Sequence, residues 1–179
     1  MAMRAPLSLK ARAIGLLAQR EHSRTELRRK LLRIEQQRAR QSAAAMTDEA
    51  IDAADDGDAT PDAAEYDDEA VETTVDTLLD ALAAQGYLDE TRFVESRLHL
   101  RAGRFGTQRI QQELAQHGLK LDAEQQATLR DTELERARQV WVKRFGAEPS
   151  VEPTERARQT RFLLARGFAP DLVRRLLRL

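Results

Sequence analysis

The sequence contains no cysteine, which excludes a disulfide framework and any thiolate metal centre. Aromatic residues make up only 4% of the 179 positions. A single large core would be hard to fill, and a row of small helical cores suits the composition better. No run of about 18 apolar residues occurs, so no membrane-spanning helix is expected. The opening stretch MAMRAPLSLKARAIGLL also lacks the apolar segment of a secretory signal. The expectation is a soluble cytoplasmic protein with no membrane association. The three histidines, His22, His99 and His117, are dispersed and have no partner at ligand spacing, so neither a metal nor a cofactor is expected. Neither G-x-x-x-x-G-K nor G-x-G-x-x-G is present, and GRFG at 103–106 reads as a turn between helices. No pair of acids on an ordered element offers an acid and a base for catalysis, so the chain does not read as an enzyme.

What is present is a strong segregation of charge. Between Gln41 and Thr91 there are 16 Asp and Glu and no Lys or Arg, leaving 29 basic against 14 acidic residues elsewhere. The formal net charge of -1 conceals this split, and 25 of the 29 basic residues are arginine. Arginine is the side chain suited to bidentate contacts with phosphate or carboxylate and to stacking on rings. Such an asymmetry points to a polyanionic partner or an acidic protein surface. Residues 41–70 are rich in Ala and Asp, with only Ile51 and Tyr66 to bury, and read as a mostly disordered acidic insertion. Its two readings are a solvated insertion and an internal acidic decoy that covers the basic surface.

The rest reads as short helices. SRTELRRKLLR opens with a capping-box pattern, Ser23 followed by Glu26. Asp89 and Asp122 begin two further helices, the first burying Phe93, Val94 and Leu98 and stopping at Gly103, the second with Gln125 in its third position. No segment alternates in a two-residue period, so no sheet is expected. One apolar stripe recurs three times: Ser23, Leu27, Leu31; Gly106, Ile110, Leu114; and Ala169, Val173, Leu177. Each copy follows a helix and a tight turn, and Pro170 stands where a first helical residue would lack a partner for its N–H. In the first unit a further helix, VETTVDTLLDALAAQG, is expected to turn Val71, Val75, Leu78 and Leu82 inward. The fold class is therefore all-α, with tandem three-helix, helix-turn-helix-like repeats forming an elongated array curved to the right or the left. The repeats are 7–40 with 71–87, then 88–131, then 132–179.

On the solvent side of the stripe helices stand Arg28, Arg29 and Lys30, then Arg109, then Arg174 and Arg175, with Arg101 and Arg104 leading into the central turn. Any one of these faces is explained by solubility alone. Three copies on a chain with excess arginine favour contacts along a phosphate backbone or a repeating acidic surface. Base-specific readout has little support beyond Gln108, Gln111 and Gln112. Trp141 and Phe145, one turn apart, could stack bases, but with aromatics so scarce they read as the core of the third unit.

GYLDETRFVESRLHLRAGRFGTQRIQQELAQHGL, residues 86–119, closely resembles the central signature of the RecX regulatory family. SRTELRRKLL at 23–32 and RFLLARGFAPDLVRRLL at 161–177 resemble its first and last repeats, in the expected order. The likeness covers nearly all of the chain outside 41–70. It implies a non-enzymatic monomer that binds the RecA–DNA filament, and single- and double-stranded DNA through it, and restrains ATP hydrolysis, strand exchange and co-protease activity. The positions that match the family's basic faces are Arg28, Arg29, Arg101, Arg104, Arg109, Arg166, Arg174 and Arg175. Two departures stand out: the acidic insertion replaces a short link in the first repeat, and Thr107 replaces a frequent proline, still offering a hydroxyl near the helix start. The rival readings are a helix-turn-helix repressor, which would dimerise and prefer one duplex sequence, and an adaptor working through its acidic segment.

Overall fold

The computed structural model describes residues 7–53, 68–146 and 150–178. These form nine helices and no strand, in two compact units, Met1–Asp89 and Glu90–Leu179. The first unit holds α1 (Leu9–Leu17), α2 (Arg24–Ala53) and α3 (Asp68–Ala84). The hydroxyl of Ser8 accepts from the Ala11 N–H at 3.2 Å, and that of Ser23 from the Glu26 N–H at 3.1 Å, so both starts are capped. Ala13, Leu27, Leu31, Val75, Leu79, Leu82 and Leu88 form the core. On α3, Leu79 takes the deep place expected of Leu78, which lies half-buried beside it with Val71. These neighbouring leucines straddle one apolar stripe, and periodicity alone does not choose between them.

The acidic stretch departs from its expectation. Helix α2 continues through residue 53 and α3 begins at Asp68, so 41–53 and 68–70 are helical rather than disordered. Lengthening an existing helix through QSAAAM needs no new nucleus and uses alanine, the best helix former. The remainder of the expected insertion, 54–67, lies outside the described residues.

The second unit holds α4 (Glu90–Ala102), α5 (Thr107–Ala115), α6 (Ala123–Asp131), α7 (Glu133–Phe145), α8 (Pro153–Ala165) and α9 (Pro170–Leu177). It has two cores, one of Phe93, Val94, Ile110, Leu114 and Leu129, the other of Ala137, Trp141, Leu163, Phe168, Leu172, Val173 and Leu177. The stripe residues Leu27, Leu31, Ile110, Leu114, Val173 and Leu177 are all at most 1% exposed, which makes the repeat physical. Its order changes, however: the stripe helix is the second of three in the first two cores and the last of three in the third. Trp141 is buried and its Nε1–H donates to Gln159 Oε1 at 3.2 Å, while Phe145 meets Phe162 edge-on at 5.0 Å. These rings are core. The expected cap on α6 is complete, Asp122 accepting from the Gln125 N–H at 2.7 Å and Gln125 from the Asp122 N–H at 3.1 Å.

The two cores of this unit meet at a pair of turns, 103–106 and 166–169. The Gly106 N–H donates to the Arg166 carbonyl at 2.9 Å. A Cβ on Gly106 would stand 2.2 Å from the Gly167 oxygen, and one on Gly167, at φ +79°, would stand 2.5 Å from Arg109 Cβ. Only glycine permits this backbone-to-backbone approach, and at Gly167 it also permits the left-handed conformation. Gly106→Ala and Gly167→Ala are each expected to destabilise the second unit by about 1–3 kcal/mol through overpacking. Gly103→Ala, which meets nothing within 4 Å, should change stability by less than about 0.5 kcal/mol. Urea unfolding followed by circular dichroism measures all three, and a Gly106→Ala curve that overlays the parent would mean that the turns part freely.

Candidate polyanion interface

A guanidinium can lie flat on an aromatic face and keep its donors at the rim for other partners. The turn after α4 uses this arrangement. Around the half-buried Phe105 ring stand the guanidinium carbons of Arg109, Arg101 and Arg104, at 4.6, 5.5 and 5.9 Å from the ring centre. Across the turn-to-turn contact Arg166 lies over Phe162 at 3.7 Å. The pKa of Arg166 is lowered by burial and, after that, by the positive charges of Arg104, Arg109 and Arg144. Among the described residues, none of these four arginines forms an ion pair with a carboxylate. Four arginines from α5, the end of α7 and two turns thus gather into one field of like charge, which costs energy unless an anion enters it.

Neighbouring acids show what an engaged arginine looks like here. Glu113 Oε1 accepts from Arg97 Nη1 at 3.2 Å and from Arg101 Nη2 at 3.0 Å. Arg101 is therefore tied within the second repeat, whereas Arg109 Nη1 donates to the Ala165 carbonyl at 3.0 Å and meets no acid among the described residues. An open cleft of about 460 Å³ lies beside the cluster, lined by Arg97, Arg101, Arg109, Gln112, Gln116 and His117 with Glu113.

The first-repeat candidates fare differently. Arg28 is engaged within its own unit: Nε donates to Asp76 at 2.8 Å and Nη2 to Glu72 at 2.8 Å, and these bonds raise its pKa. Arg24 pairs likewise with Asp80 at 2.7 Å. Acids one turn apart on α3 thereby neutralise this face of α2. Lys30 Nζ lies 3.0 Å from His22 Nε2 and 3.5 Å from Glu26, while Arg29 is exposed with no acidic partner among the described residues. Arg174 and Arg175 are exposed in the last turn of α9, where cations suit the helix dipole, and they are not among the charges acting on Arg166.

Sequence reasoning missed four participants: Phe105 and Phe162, which orient the arginines, Arg144, which joins the cluster, and Arg136. Arg136 reaches from α7 under the central turn, Nη1 donating to the carbonyls of Ala102 and Phe105 and Nη2 to that of Leu129, each at 2.8 Å. Nothing in the local pattern distinguishes it from its exposed neighbour Arg138. Thr107 also behaves differently from its expectation. Its hydroxyl is buried without a partner, and the backbone N–H makes the contact, donating to buried Glu133 Oε1 at 2.9 Å. An acid from α7 thus takes the place of a side-chain cap at the start of α5.

Among the described residues no group of His, Asp and Glu could hold a metal, and no helix is long and apolar enough to cross a membrane. Fold and site together define a helical-repeat protein whose distinctive surface is a cluster of arginines. Residues 131–177, the third core, match the family model described as the RecX third three-helix domain. Along nearly its whole length the chain is similar to proteins named Regulatory protein RecX. It is 42% identical to that of Ralstonia pickettii, over 97% of this chain and 89% of the relative, and 43% identical to that of Leptothrix cholodnii, over 98% and 91%. The protein from Pseudomonas putida KT2440 is 37% identical over 96% and 90%. The chain belongs to the RecX family of regulatory proteins.

One ion pair in the first unit has a defined pH signature. Burial disfavours the Glu26 carboxylate, but the hydrogen bond and charge of Arg20, with His22 and Lys30, outweigh it and lower its pKa to about 2. A depressed carboxylate stabilises the fold above its ordinary range, and that contribution is lost as pH falls from about 4.5 toward about 2. Glu26→Gln should flatten this acid limb while leaving the curve above pH ~6 parallel to the parent. Thermal melts across pH 2–7 test this, and parallel acid limbs would show that the pair contributes nothing.

Proposed function

We propose that this protein binds the RecA–DNA filament and restrains its ATPase, strand exchange and co-protease activities, without catalytic activity or cofactor of its own. It acts in the cytoplasm, as a monomer. The observation that carries this reading is geometric: Arg104 and Arg109 stand around the Phe105 ring, Arg166 lies over Phe162, and the Gly106 N–H bond to the Arg166 carbonyl joins the two turns. Such a field is suited to the phosphate backbone or to an acidic surface of a filament, and it needs no base sequence. Membership of a family whose relatives are named regulatory proteins supports the same reading.

The architecture also argues against a repressor. A recognition helix presents its first residues to base edges. Here the start of α5 is closed, since Gly106 packs on Gly167 and the Thr107 N–H is held by Glu133. Gln108 and Gln112 remain exposed, but beside arginines rather than at a free helix tip.

The test is RecA ATPase activity on single-stranded DNA, titrated with this protein beside a measurement of its binding to the same DNA alone. Inhibition is expected well below the concentrations that coat bare DNA. Replacing Arg104, Arg109 and Arg166 by Ala should raise the inhibitory midpoint about tenfold and flatten the salt slope by about one for every phosphate no longer neutralised. Tight, sequence-selective binding to duplex DNA with no effect on RecA would instead establish the helix-turn-helix DNA binder.

A further inference from the structure

The turn that carries Arg104 and Phe105 is held from outside its own repeat. Four of its backbone groups, the carbonyls of Ala102 and Phe105 and the N–H groups of Gly106 and Thr107, bond to Arg136, Arg136, Arg166 and Glu133 in that order. All of these partners lie in the third repeat. Within the turn itself, the Arg104 and Phe105 N–H groups both donate to the Arg101 carbonyl, at 2.9 and 3.0 Å. Such a short loop would otherwise sample many arrangements, and each would place the arginines differently.

We propose that Arg136 is a positioning residue of the arginine cluster, setting the turn so that Arg104 and Arg109 meet Arg166 in one anion-binding field. The inference rests on the filament reading above. Arg136 spends its terminal nitrogens on the backbone of the turn and its flanks. It is partly buried, and its planar fork spans carbonyls contributed by the end of α4, the turn and the end of α6. Lysine cannot reproduce this, because an ammonium is a point donor on a flexible stem. A side chain that locks the supporting shell governs how many ligand contacts form together, and removing it lowers affinity by weakening preorganisation rather than by subtracting charge.

The experiment compares Arg136→Lys and Arg136→Gln with three others in the full-length chain: Arg104→Ala with Arg109→Ala, Arg138→Lys, and Val173→Ala. Arg138 is exposed on the same helix, and Val173 is a buried core residue of α9 that serves as a control for destabilisation. Inhibition of the RecA ATPase on single-stranded DNA is titrated at several salt concentrations, at a temperature where circular dichroism shows native helicity. Arg136→Lys should raise the midpoint about tenfold and flatten the salt slope by about one, although formal charge is unchanged. Arg136→Gln, which keeps some donors but no charge, should flatten the slope to the same degree. Arg138→Lys and Val173→Ala should keep the parent slope, and amide exchange at residues 104–107 should accelerate in the Arg136 variants while that of α9 does not.

An unchanged slope in both Arg136 variants, with a weakened Arg104/Arg109 variant, would overturn the positioning role and leave the filament reading intact. An Arg104/Arg109 variant as potent as the parent would overturn the reading of the surface itself. Loss of native helicity in both Arg136 variants would also overturn the positioning role, since a residue needed by the whole unit is not specific to the turn.

Discussion

The second unit depends on two backbones touching without side chains between them. Gly106 and Gly167 stand so close that a single methyl on either would collide with the chain opposite. This approach explains features that otherwise look unrelated. It brings Arg109 within reach of the Ala165 carbonyl, places Arg166 among the arginines of the preceding repeat, and lets α7 supply the cap for α5. Two cores that would each be marginal alone are locked by polar bonds that neither repeat completes by itself.

The arginines then divide by what holds them. Arg24 and Arg28 are neutralised by Asp80, Asp76 and Glu72, and Arg97 and Arg101 share Glu113. Arg136 serves the backbone, and burial lowers its pKa without removing its charge. Arg104, Arg109 and Arg166 lie on rings or carbonyls and face one another's charge. An arginine-rich composition therefore does not translate into a uniformly basic surface. The face assigned to the partner under the proposed function is the one where arginines gather on rings and carbonyls instead of on acids.

Much of the fold can be read from the residues in order, because each repeat core is local. Leu27 and Leu31, Ile110 and Leu114, and Val173 and Leu177 are close in sequence and buried together, so periodicity finds them. Where two apolar residues adjoin, as Leu78 and Leu79 do, periodicity loses resolution, and packing decides. The helix over 41–53 escapes the sequence reading for a different reason: sparse apolar residues argue for disorder, whereas alanine propensity extends a helix already formed. At the candidate site, Arg104 and Arg109 stand out from their place at the central turn and stripe helix, whereas Arg166 is singled out only through the family resemblance. The pairing of Arg28 escapes the sequence because its partners lie 44 and 48 residues away on α3, which no local pattern records.

Arg136 and Glu133 mark the limit more sharply. Both sit on a helix whose sequence, ELERARQVWVKRF, looks like an ordinary amphipathic segment with charges for solvent. Yet Glu133 is buried against a neighbouring helix start and Arg136 grips three carbonyls. Burying such groups is costly unless donors and acceptors are met, so they persist where a tertiary contact supplies partners that the local chain cannot. The approach of the two glycines creates that environment. On the proposed function, a surface built in this way reads a polyanion by spacing rather than by base identity, because what is held rigid is the relative placement of guanidinium groups, and the tip of α5 is not open to enter a groove.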